Sequence, residues 1–553
     1  MQRIPGPFRV YVGLVPTGYL NPEAIDRVVA AGMSYCGASL ALSKLRPGNR
    51  ILVVPDVAMA EPKIARHAYT HPDVVRATLG EALRADPSGD ATVLGRALAG
   101  FPSERVLKRA TGDSDPFKQR GYFELENLFP GKVEVLASED CDLYRYQLSK
   151  GPVLSDQDRR LLLASGILEA DKRLLEGRLS NEIVTLREFH DSHVVVYCPK
   201  LKSSVLSQGF SGAVRLGGGL ARGTFSDVFV ADMLEVCNPQ IVVSDGIIAA
   251  IGGNQVTQRG HELGVVLVSN NALAHDLVAA QILNLDPLRV NHLRIAIERG
   301  WGPSGLSQVE VGGDGLEAVR QLAQKTRFWD LGAISLERFA EKYERENPGL
   351  TFPLELISGQ PYETSGSHGT LLDWLYLSYD FPRRRPALAR WPRAAVCVGA
   401  VERYPRSHVV FAVGTRAIDS LARRTSFSTQ LARFGRGTRA VRITRVQLKN
   451  GARHVVIAVP GSPPDFRKLV LAFALASAGK MLPRLLTPAL VLDRAIATVR
   501  RWIEPARDVL STRLVMTSRM PQNSWWSLKP TRLLPQPPAR GASGVSAPKM
   551  PQQ

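Results

Sequence analysis

A short apolar run that stops at a proline and leads into two lysines limits most strongly how this chain can fold. Residues 193–197 read His-Val-Val-Val-Tyr, Pro199 follows closely, and Lys200 and Lys202 come next. The length and β-branched content of the run predict a buried strand. Strands that end in this way place polar groups in the crevice beyond their carboxyl ends, where α/β proteins bind ligands.

Apolar strand patterns alternate with helical patterns along the N-terminal part of the chain. Strands are predicted over residues 8–14, 51–54, 132–136, 193–197, 241–246 and 264–268. Helices are predicted over residues 22–46, after His71-Pro72 and after Asn270-Asn271. This alternation predicts an α/β fold with a mostly parallel sheet and flanking helices.

The length of the chain predicts more than one domain, because 553 residues exceed one ordinary core. Short apolar strands near residues 393–398, 408–413 and 454–459 predict a second, smaller α/β domain. A helical pattern over residues 154–188 predicts an insertion that lies on the first sheet. The expected division is a first domain over 1–312 with a helical insertion at about 150–190, a second over 313–503 and a disordered tail over 504–553.

The net charge of +19 is spread unevenly. Residues 383–454, here called the basic section, carry 17 Lys and Arg against only Glu402 and Asp419, whereas residues 1–382 carry a small net negative charge. Such asymmetry indicates an anionic partner, either a polyanion or a protein. Because the basic section lacks the interleaved aromatic residues of a nucleic-acid platform, an Arg-rich solvated surface is the alternative.

The cysteine pattern bears on cofactors and location. The five cysteines are scattered and show no CxxC spacing, so neither an iron–sulfur cluster nor a metal site is expected. An odd, dispersed set suits a reducing cytoplasm. The first residues lack the apolar region of a signal peptide, and no apolar run is long enough to predict a transmembrane segment.

Charged side chains follow several predicted strands, namely Asp56, Lys200, Lys202, Asp245 and, after a helix start, Asp276. In a parallel sheet these strand ends would lie on one edge. Two lysines beside a helix N-terminus form a natural site for a small anion, and neighbouring carboxylates can bind a metal or transfer protons. The alternative is a buried ionic cluster without a ligand, in which the lysines pair with the carboxylates.

Other candidates are weaker. The segment Gly209–Gly223 has neither the Walker nor the dinucleotide pattern, which favours a flexible Ser/Gly turn. His71 at a helix start predicts a capping role, and Cys198 predicts a buried core thiol although two lysines are near. His275 and Asp276 are neighbours in a predicted helix and should point in different directions, so we expect no dyad there.

Several motifs in a fixed order resemble the domain-of-unknown-function 362 (DUF362) family. They are Pro199-Lys200-Leu-Lys202, Gly209-Phe-Ser-Gly212-Ala-Val-Arg, Asp245-Gly246 and Ser269-Asn-Asn-Ala-Leu-Ala-His-Asp276. Segments near residues 48–56, 70–75 and 298–302 fit the same order, so the resemblance covers roughly residues 8–312. It implies an α/β fold and no established reaction. With the strand ends, these motifs give the candidate ligand-binding residues Lys200, Lys202, Gly212, Asp245 and Asp276.

The chain also departs from that family. Many members carry a ferredoxin-like cluster module, for which this chain has no cysteines. Asp56 stands where the family has the Asn of a Lys-Pro-Asn motif, Asn271 stands for an Asp, and Ser203 or Ser204 for a His. Residues 251–255 replace a Glu-Gly-x-Gly-Pro run. Because polar site positions have changed, the resemblance carries over no catalytic residues.

A second resemblance lies in the C-terminal part. Val459-Pro-Gly461-Ser462-Pro-Pro464 is similar to the Gly-Cys-Pro-Pro turn of the cluster-binding small subunits of hydrogenase and respiratory complex I. Gly366-Ser367-His368-Gly369 stands where such a domain has another cysteine. Only Cys397 remains as a thiol in this region, so the resemblance implies a lost cluster.

Two functions follow from these observations. One is a binding or catalytic protein that holds a small anionic ligand, or a metal–ligand complex, at the Lys200 and Lys202 edge. The other is a non-catalytic accessory protein, a degenerate relative of iron–sulfur proteins that works through its surface. The intact Pro-Lys-x-Lys motif favours the first, and the missing cysteines favour the second.

Overall fold

The computed structural model describes residues 7–16, 18–38, 42, 49–57, 67–97, 103–109, 121–147, 182–205, 210–218, 227–252, 258–325, 336–359, 366–379, 393–425, 440–461, 464 and 466–476. These residues form a nine-stranded sheet, a five-stranded sheet and a two-stranded sheet, with helices packed on the two larger ones. The predicted α/β class with a mostly parallel sheet and a second α/β unit is confirmed.

The strands, in chain order, are β1 (Phe8–Leu14), β2 (Arg50–Pro55), β3 (Asp90–Gly95), β4 (Val133–Ala137), β5 (Leu143–Gln147), β6 (Glu182–Leu186), β7 (Val194–Cys198), β8 (Lys200–Lys202), β9 (Ile241–Ile251), β10 (Arg259–Ser269), β11 (Val309–Gly313), β12 (Leu354–Ser358), β13 (Ala394–Val398), β14 (Val409–Val413), β15 (Arg442–Gln447) and β16 (Arg453–Val459).

The α-helices, in chain order, are α1 (Pro22–Tyr35), α2 (Pro72–Ala85), α3 (Ser103–Arg109), α4 (Glu124–Leu128), α5 (Glu188–Asp191), α6 (Ala213–Gly218), α7 (Asp227–Val236), α8 (Ala272–Ile282), α9 (Asn291–Glu298), α10 (Leu316–Lys325), α11 (Leu336–Glu346), α12 (Gly366–Tyr379), α13 (Thr415–Arg423) and α14 (Phe466–Ala476). Two of them begin as their sequences predict. His71 caps α2 with Pro72 behind it, and Asn271 caps α8 by accepting from the Ala274 N–H.

The first sheet has the strand order β11-β1-β10-β9-β7-β2-β3-β4, with β8 beside β9. The strands β2, β3, β4, β7, β8 and β9 are parallel, and β1 and β11 run the same way. The carboxyl ends of β2 and β7 therefore lie side by side, with Pro55 opposite Cys198. This edge holds the charged residues that follow those two strands.

One strand of the first sheet runs against the rest. β10 is antiparallel to both β9 and β1, and its last residue, Ser269, lies opposite Val242 near the start of β9. The expectation that the strand before Asn271 ends on the same edge as the others is therefore wrong. β9 is also longer than predicted, because the apolar run after Gly246 continues the strand to Ile251 and pairs it with β10.

Helices cover both faces of the first sheet. Alternate strand residues point to opposite faces, so Val53, Val196 and Val243 belong to one buried cluster. Leu52, Tyr197 and Val242 belong to the cluster on the other face. Strands buried on both faces are typical of parallel sheets, and they explain the continuous apolar runs in the sequence.

Two sequence predictions need correction. Residues 182–186 lie inside the segment predicted as a helical insertion, yet they form β6, which pairs antiparallel with β5. Residues 148–181 of that insertion lie outside the described residues. Residues 213–218, predicted within a Ser/Gly turn, form α6.

The second sheet has the order β12-β13-β14-β16-β15, and only its edge strand β15 is antiparallel. It too has a buried cluster on each face. The predicted tail, 504–553, lies outside the described residues. Across the described part of the chain, no helix is both long and apolar enough to cross a bilayer.

Candidate functional site

Lys200 and Asp245 form a buried ion pair at the centre of the first sheet. They are register partners on the parallel strands β8 and β9, and Lys200 Nζ lies 2.8 Å from Asp245 Oδ2. Both residues are almost completely inaccessible to solvent. Burial is the main cause that lowers the pKa of Lys200, and the charge of Asp245 opposes it.

Asp245 accepts further hydrogen bonds from distant parts of the chain. The Tyr19 hydroxyl donates to Oδ1 at 2.7 Å, and Lys200 Nζ donates to that hydroxyl oxygen at 2.7 Å. The backbone N–H of His71 donates to Oδ2 at 2.8 Å. The His71 ring stacks on Tyr19 with 3.9 Å between ring centroids. Burial and the charge of Asp245 raise the pKa of Tyr19 well above its usual value.

A second ion pair lies beside the first. Lys202 Nζ lies 2.7 Å from Asp56 Oδ2 and donates to the Ala68 carbonyl at 3.3 Å. Lys202 is buried, and Asp56 is 9% exposed. The positive charge of Lys202 also contributes to lowering the pKa of Lys200. The edge therefore holds two positive and two negative side chains whose burial costs several kcal/mol per ion before pairing.

Hydrogen-bonding capacity is left over at this edge. An ammonium group has three N–H bonds, and Lys200 and Lys202 each have two hydrogen-bond or ion-pair partners among the described residues. The buried Ser203 Oγ and Gln258 Oε1 have no hydrogen-bond partner in that part of the chain. Gln258 Nε2 donates to the Ser203 carbonyl at 2.7 Å, which holds the two residues together. Buried orphaned groups of this kind require an explanation.

Gly212 and Asp276 lie on the other face of the sheet. Asp276 accepts from the N–H groups of Ala213 at 2.7 Å and Val214 at 3.0 Å, and so holds the start of α6. A Cβ on Gly212 would lie 2.3 Å from Asp276 Oδ1, so only glycine fits there. Their neighbours Ala213 and Leu277 belong to the buried cluster on one face of the sheet. Val243, which lies two residues before Asp245 on the same strand, belongs to the cluster on the other face. The structure thus brings Lys200, Lys202 and Asp245 together but leaves Gly212 and Asp276 behind them.

His275 and Asp276 do form a contact, contrary to the prediction from their spacing. His275 Nδ1 lies 2.7 Å from Asp276 Oδ1, and both residues are fully buried. Neighbouring helical residues are offset by roughly 100° around the axis, yet the inner ring nitrogen still reaches the adjacent carboxylate. His275 Nε2 has no hydrogen-bond partner among the described residues.

The remaining candidates take structural roles. All five cysteines are buried and free, and burial raises the pKa of Cys198 to about 12, which confirms the core thiol. His71 caps a helix as predicted. Within the described residues no group of three or more His, Cys, Asp or Glu side chains could hold a metal ion.

Two important residues were not identified from the sequence. Tyr19 reaches Asp245 across 226 positions, and no local pattern marks it. Gln258 directly precedes the segment from Arg259 whose pairing with β9 was not foreseen. Asp56 was noted as a strand-end carboxylate, but its pairing with Lys202 was not predicted.

The segments that resemble cluster-binding small subunits meet at the carboxyl end of the second sheet. The Gly414 N–H donates to the Val459 carbonyl at 2.9 Å, and the Thr415 N–H donates to that of Gly461 at 3.0 Å. A Cβ on Gly414 would lie 2.6 Å from Ser367 Oγ. Ser367 is therefore close to the turn at Gly461, whereas Ser462 lies outside the described residues.

A family model described as "Domain of unknown function (DUF362)" matches residues 168–281. The match contains β7, β8 and β9, the strands that carry Lys200, Lys202 and Asp245. A comparison with curated proteins found no match to this chain.

Proposed function

We propose that this chain, whose residues 168–281 match the DUF362 family model, binds a small anionic ligand at the edge formed by Lys200 and Lys202. The observation that carries the proposal is the spare N–H capacity of the buried Lys200 and Lys202 ammonium groups, together with the orphaned hydroxyl of Ser203, the residue after Lys202. An oxyanion accepts hydrogen bonds from both kinds of donor, and charge-assisted bonds are the stronger class.

The charges at this edge set a condition on the ligand. Asp245 and Asp56 already offset the two lysines, so the ligand must reach the ammonium groups on the sides that face away from those carboxylates. Asp245 is held by Tyr19 and by the His71 backbone as well as by Lys200. Within the described part of the chain, the Asp56 carboxylate is held by Lys202 alone, so Lys202 is the lysine that we expect to make the stronger contact with a ligand.

Gly212 and Asp276 contribute indirectly in this proposal. They hold the start of α6, and Ser211 just before it forms a β-bridge with Lys202, through a 3.2 Å hydrogen bond to the Lys202 carbonyl. The Asp276 cap therefore positions the backbone that runs beside Lys202. Neither residue needs to touch the ligand.

The second candidate function is a non-catalytic accessory protein. The pairing of each lysine with a carboxylate favours it, since a neutral network needs no ligand. On this proposal the basic section over 383–454 binds a polyanion or protein partner in the cytoplasm. Each sheet has its own buried clusters, which supports a division near residue 312 into two domains, although Val205 belongs to a cluster of the second sheet.

Small molecules released from the purified full chain distinguish the two functions. Mass spectrometry and metal analysis of the denatured protein should detect a stoichiometric anion in the wild type and none in Lys202→Ala. The matched control is Lys108→Ala, which removes an exposed i,i+4 pair with Glu104 and should retain the anion.

The outcome decides between the proposals. Loss of one charge-assisted hydrogen bond should weaken binding by about 1.5–3 kcal/mol, which is roughly 10- to 150-fold. If no anion is released from any variant and Lys202→Ala is only less stable, the accessory function is favoured. Both the anion-binding function and the accessory function predict a protein that is colourless and free of iron after anaerobic preparation. Stoichiometric iron and sulfide would contradict both functions.

A further inference from the structure

Tyr19 lies between the Lys200–Asp245 ion pair and the solvent. Its hydroxyl donates to Asp245 Oδ1 at 2.7 Å and accepts from Lys200 Nζ at 2.7 Å. Lys200 is 2% exposed and Asp245 is fully buried, whereas Tyr19 is partly exposed. The other described residues that hydrogen-bond to the charged groups of this pair, His71 and Ile247, are buried. The Tyr19 side chain therefore covers the pair.

The turn that carries Tyr19 stands out from the body of the protein. It is a short 3-10 helix over Gly18–Leu20 and begins at a glycine with φ +62°. Leu20 is 90% exposed, and a Cβ on Gly18 would meet nothing within 4 Å. The Gly18 N–H donates to the nearby Val15 carbonyl at 3.1 Å. An outward movement of this turn therefore breaks mainly the contacts of the Tyr19 side chain.

Those contacts hold the ring and the hydroxyl in different ways. The ring stacks on His71 with 3.9 Å between centroids, and Lys200 Nζ lies 5.4 Å from the ring centroid. The hydroxyl also accepts from the Ile248 backbone N–H. Because burial and the charge of Asp245 raise the pKa of Tyr19, the hydroxyl keeps its proton and donates to that carboxylate at neutral pH. Hydrogen bonds to charged groups are the stronger class, so the closed position is well defined.

The charges beneath Tyr19 compensate for its outward movement. Burial of an ion costs several kcal/mol, even though its partner returns much of that cost. When Tyr19 moves outward, water reaches Lys200 and Asp245, and their hydration offsets the hydrogen bonds that Tyr19 gives up. An apolar core beneath the ring would gain nothing from water. A ligand that binds only the open form shifts the protein towards it.

We propose that Tyr19 is a gate over the Lys200–Asp245 pair, and that it moves outward with its turn to admit the anionic ligand. In the closed form its hydroxyl occupies one N–H of Lys200. In the open form an oxygen of the ligand accepts that N–H instead, in addition to the contact that we expect from Lys202. What enters the site rests on the function proposed above, whereas the movement of the gate is tested without any ligand.

Acetylation of lysine amines in the native full chain measures this movement. The reagent is N-hydroxysuccinimidyl acetate, and peptide mass spectrometry gives the rate at Lys200 relative to the exposed Lys108. Tyr19→Ala should raise that relative rate about tenfold or more, the factor expected when a hydrogen bond to a charged group is lost. Tyr19→Phe, which loses only the hydroxyl, should raise it by a smaller factor. Leu20→Ala is the matched control, because it removes an exposed side chain from the same turn and should leave the rate unchanged.

Alkylation of Cys237 with iodoacetamide separates opening of the gate from unfolding. Cys237 is buried in the cluster on the other face of the first sheet, so it reacts only when that sheet opens, and Tyr19→Ala should leave its rate unchanged. The proposal is overturned if Tyr19→Ala acetylates Lys200 no faster than the wild type, if Leu20→Ala has the same effect, or if Cys237 alkylation rises in the same proportion. Any of these results leaves the proposed anion binding standing, and absence of a bound anion leaves the gate standing.

Discussion

Lys200 and Asp245 face each other across the parallel strands β8 and β9, and both are buried with 2.8 Å between Nζ and Oδ2. The pair is surrounded by Tyr19, by the His71 backbone and by the second pair of Lys202 with Asp56. The buried carboxylate of Asp245 is not accessible to water, so its negative charge has to be stabilised by the ammonium group of Lys200.

Removing Lys200 alone should therefore destabilise the protein. We expect Lys200→Ala to lower the free energy of unfolding by about 3–5 kcal/mol, because Asp245 is left buried without its cation. The double variant Lys200→Ala/Asp245→Asn should recover a large part of that loss, since the remaining amide is neutral. Urea unfolding measures both. A double variant no more stable than the single one would show that the charge of Asp245 is not the cause.

Gly212 offers a test of the Asp276 cap. Gly212→Ala places a Cβ about 2.3 Å from Asp276 Oδ1 and should cost roughly 1–3 kcal/mol of stability by overpacking. Gly305→Ala is the control, since a Cβ there meets nothing within 4 Å. Thermal melts of the two variants should differ clearly, and equal melting temperatures would mean that α6 moves to make room.

His292 predicts a pH dependence of stability. Burial, reinforced by Arg215, lowers its pKa from 6.5 to about 3, so the folded state keeps the ring neutral while the unfolded state takes up a proton below about pH 6.5. Stability should therefore fall as the pH drops from 6.5 towards 3, by about 1.4 kcal/mol per pH unit for this group.

The variant His292→Leu isolates that contribution. It removes the titrating group, so the difference in unfolding free energy between pH 7 and pH 5 should become smaller than in the wild type. His190→Gln, which changes an exposed histidine, should retain the wild-type difference. If His292→Leu keeps the full pH dependence, other groups are responsible for it.

The basic section predicts salt-dependent binding to polyanions. Arg442 and Arg445 are exposed on the edge strand β15. The double variant Arg442→Gln/Arg445→Gln should elute from heparin at lower salt than the wild type, because fewer counterions are released on binding. Arg84→Gln/Arg338→Gln removes the same charge from exposed positions elsewhere. Equal elution of the two double variants would mean that only net charge matters.

The sequence predicted the strands well where the signal is local. Runs of β-branched residues gave β1, β2, β4, β7, β13, β14 and β16 close to their observed bounds. β3 was missed because its sequence, Asp-Ala-Thr-Val-Leu-Gly, mixes polar and small residues. Capping residues located the starts of α2 and α8, since a cap acts within one turn.

The direction of β10 could not be read in the same way. With a strand end placed at Gly246 and the next start at Gly264, the gap is long enough for a parallel crossover, which needs about a dozen residues or more. The strands in fact extend to Ile251 and from Arg259, and that shorter gap permits only a hairpin. This error placed the start of the helix that carries Asp276 at the wrong edge of the sheet. Tyr19 escaped notice because its partner is distant in sequence.

The burial of every thiol has a practical consequence. A thiol reagent needs the thiolate, and burial raises the pKa of Cys36 and of Cys397 to about 12. In the folded chain, alkylation must then wait for local or global opening. Because Cys397 is alone in the second sheet among the described residues, while Cys36, Cys141, Cys198 and Cys237 are in the body of the first, the order of labelling reports which sheet opens first.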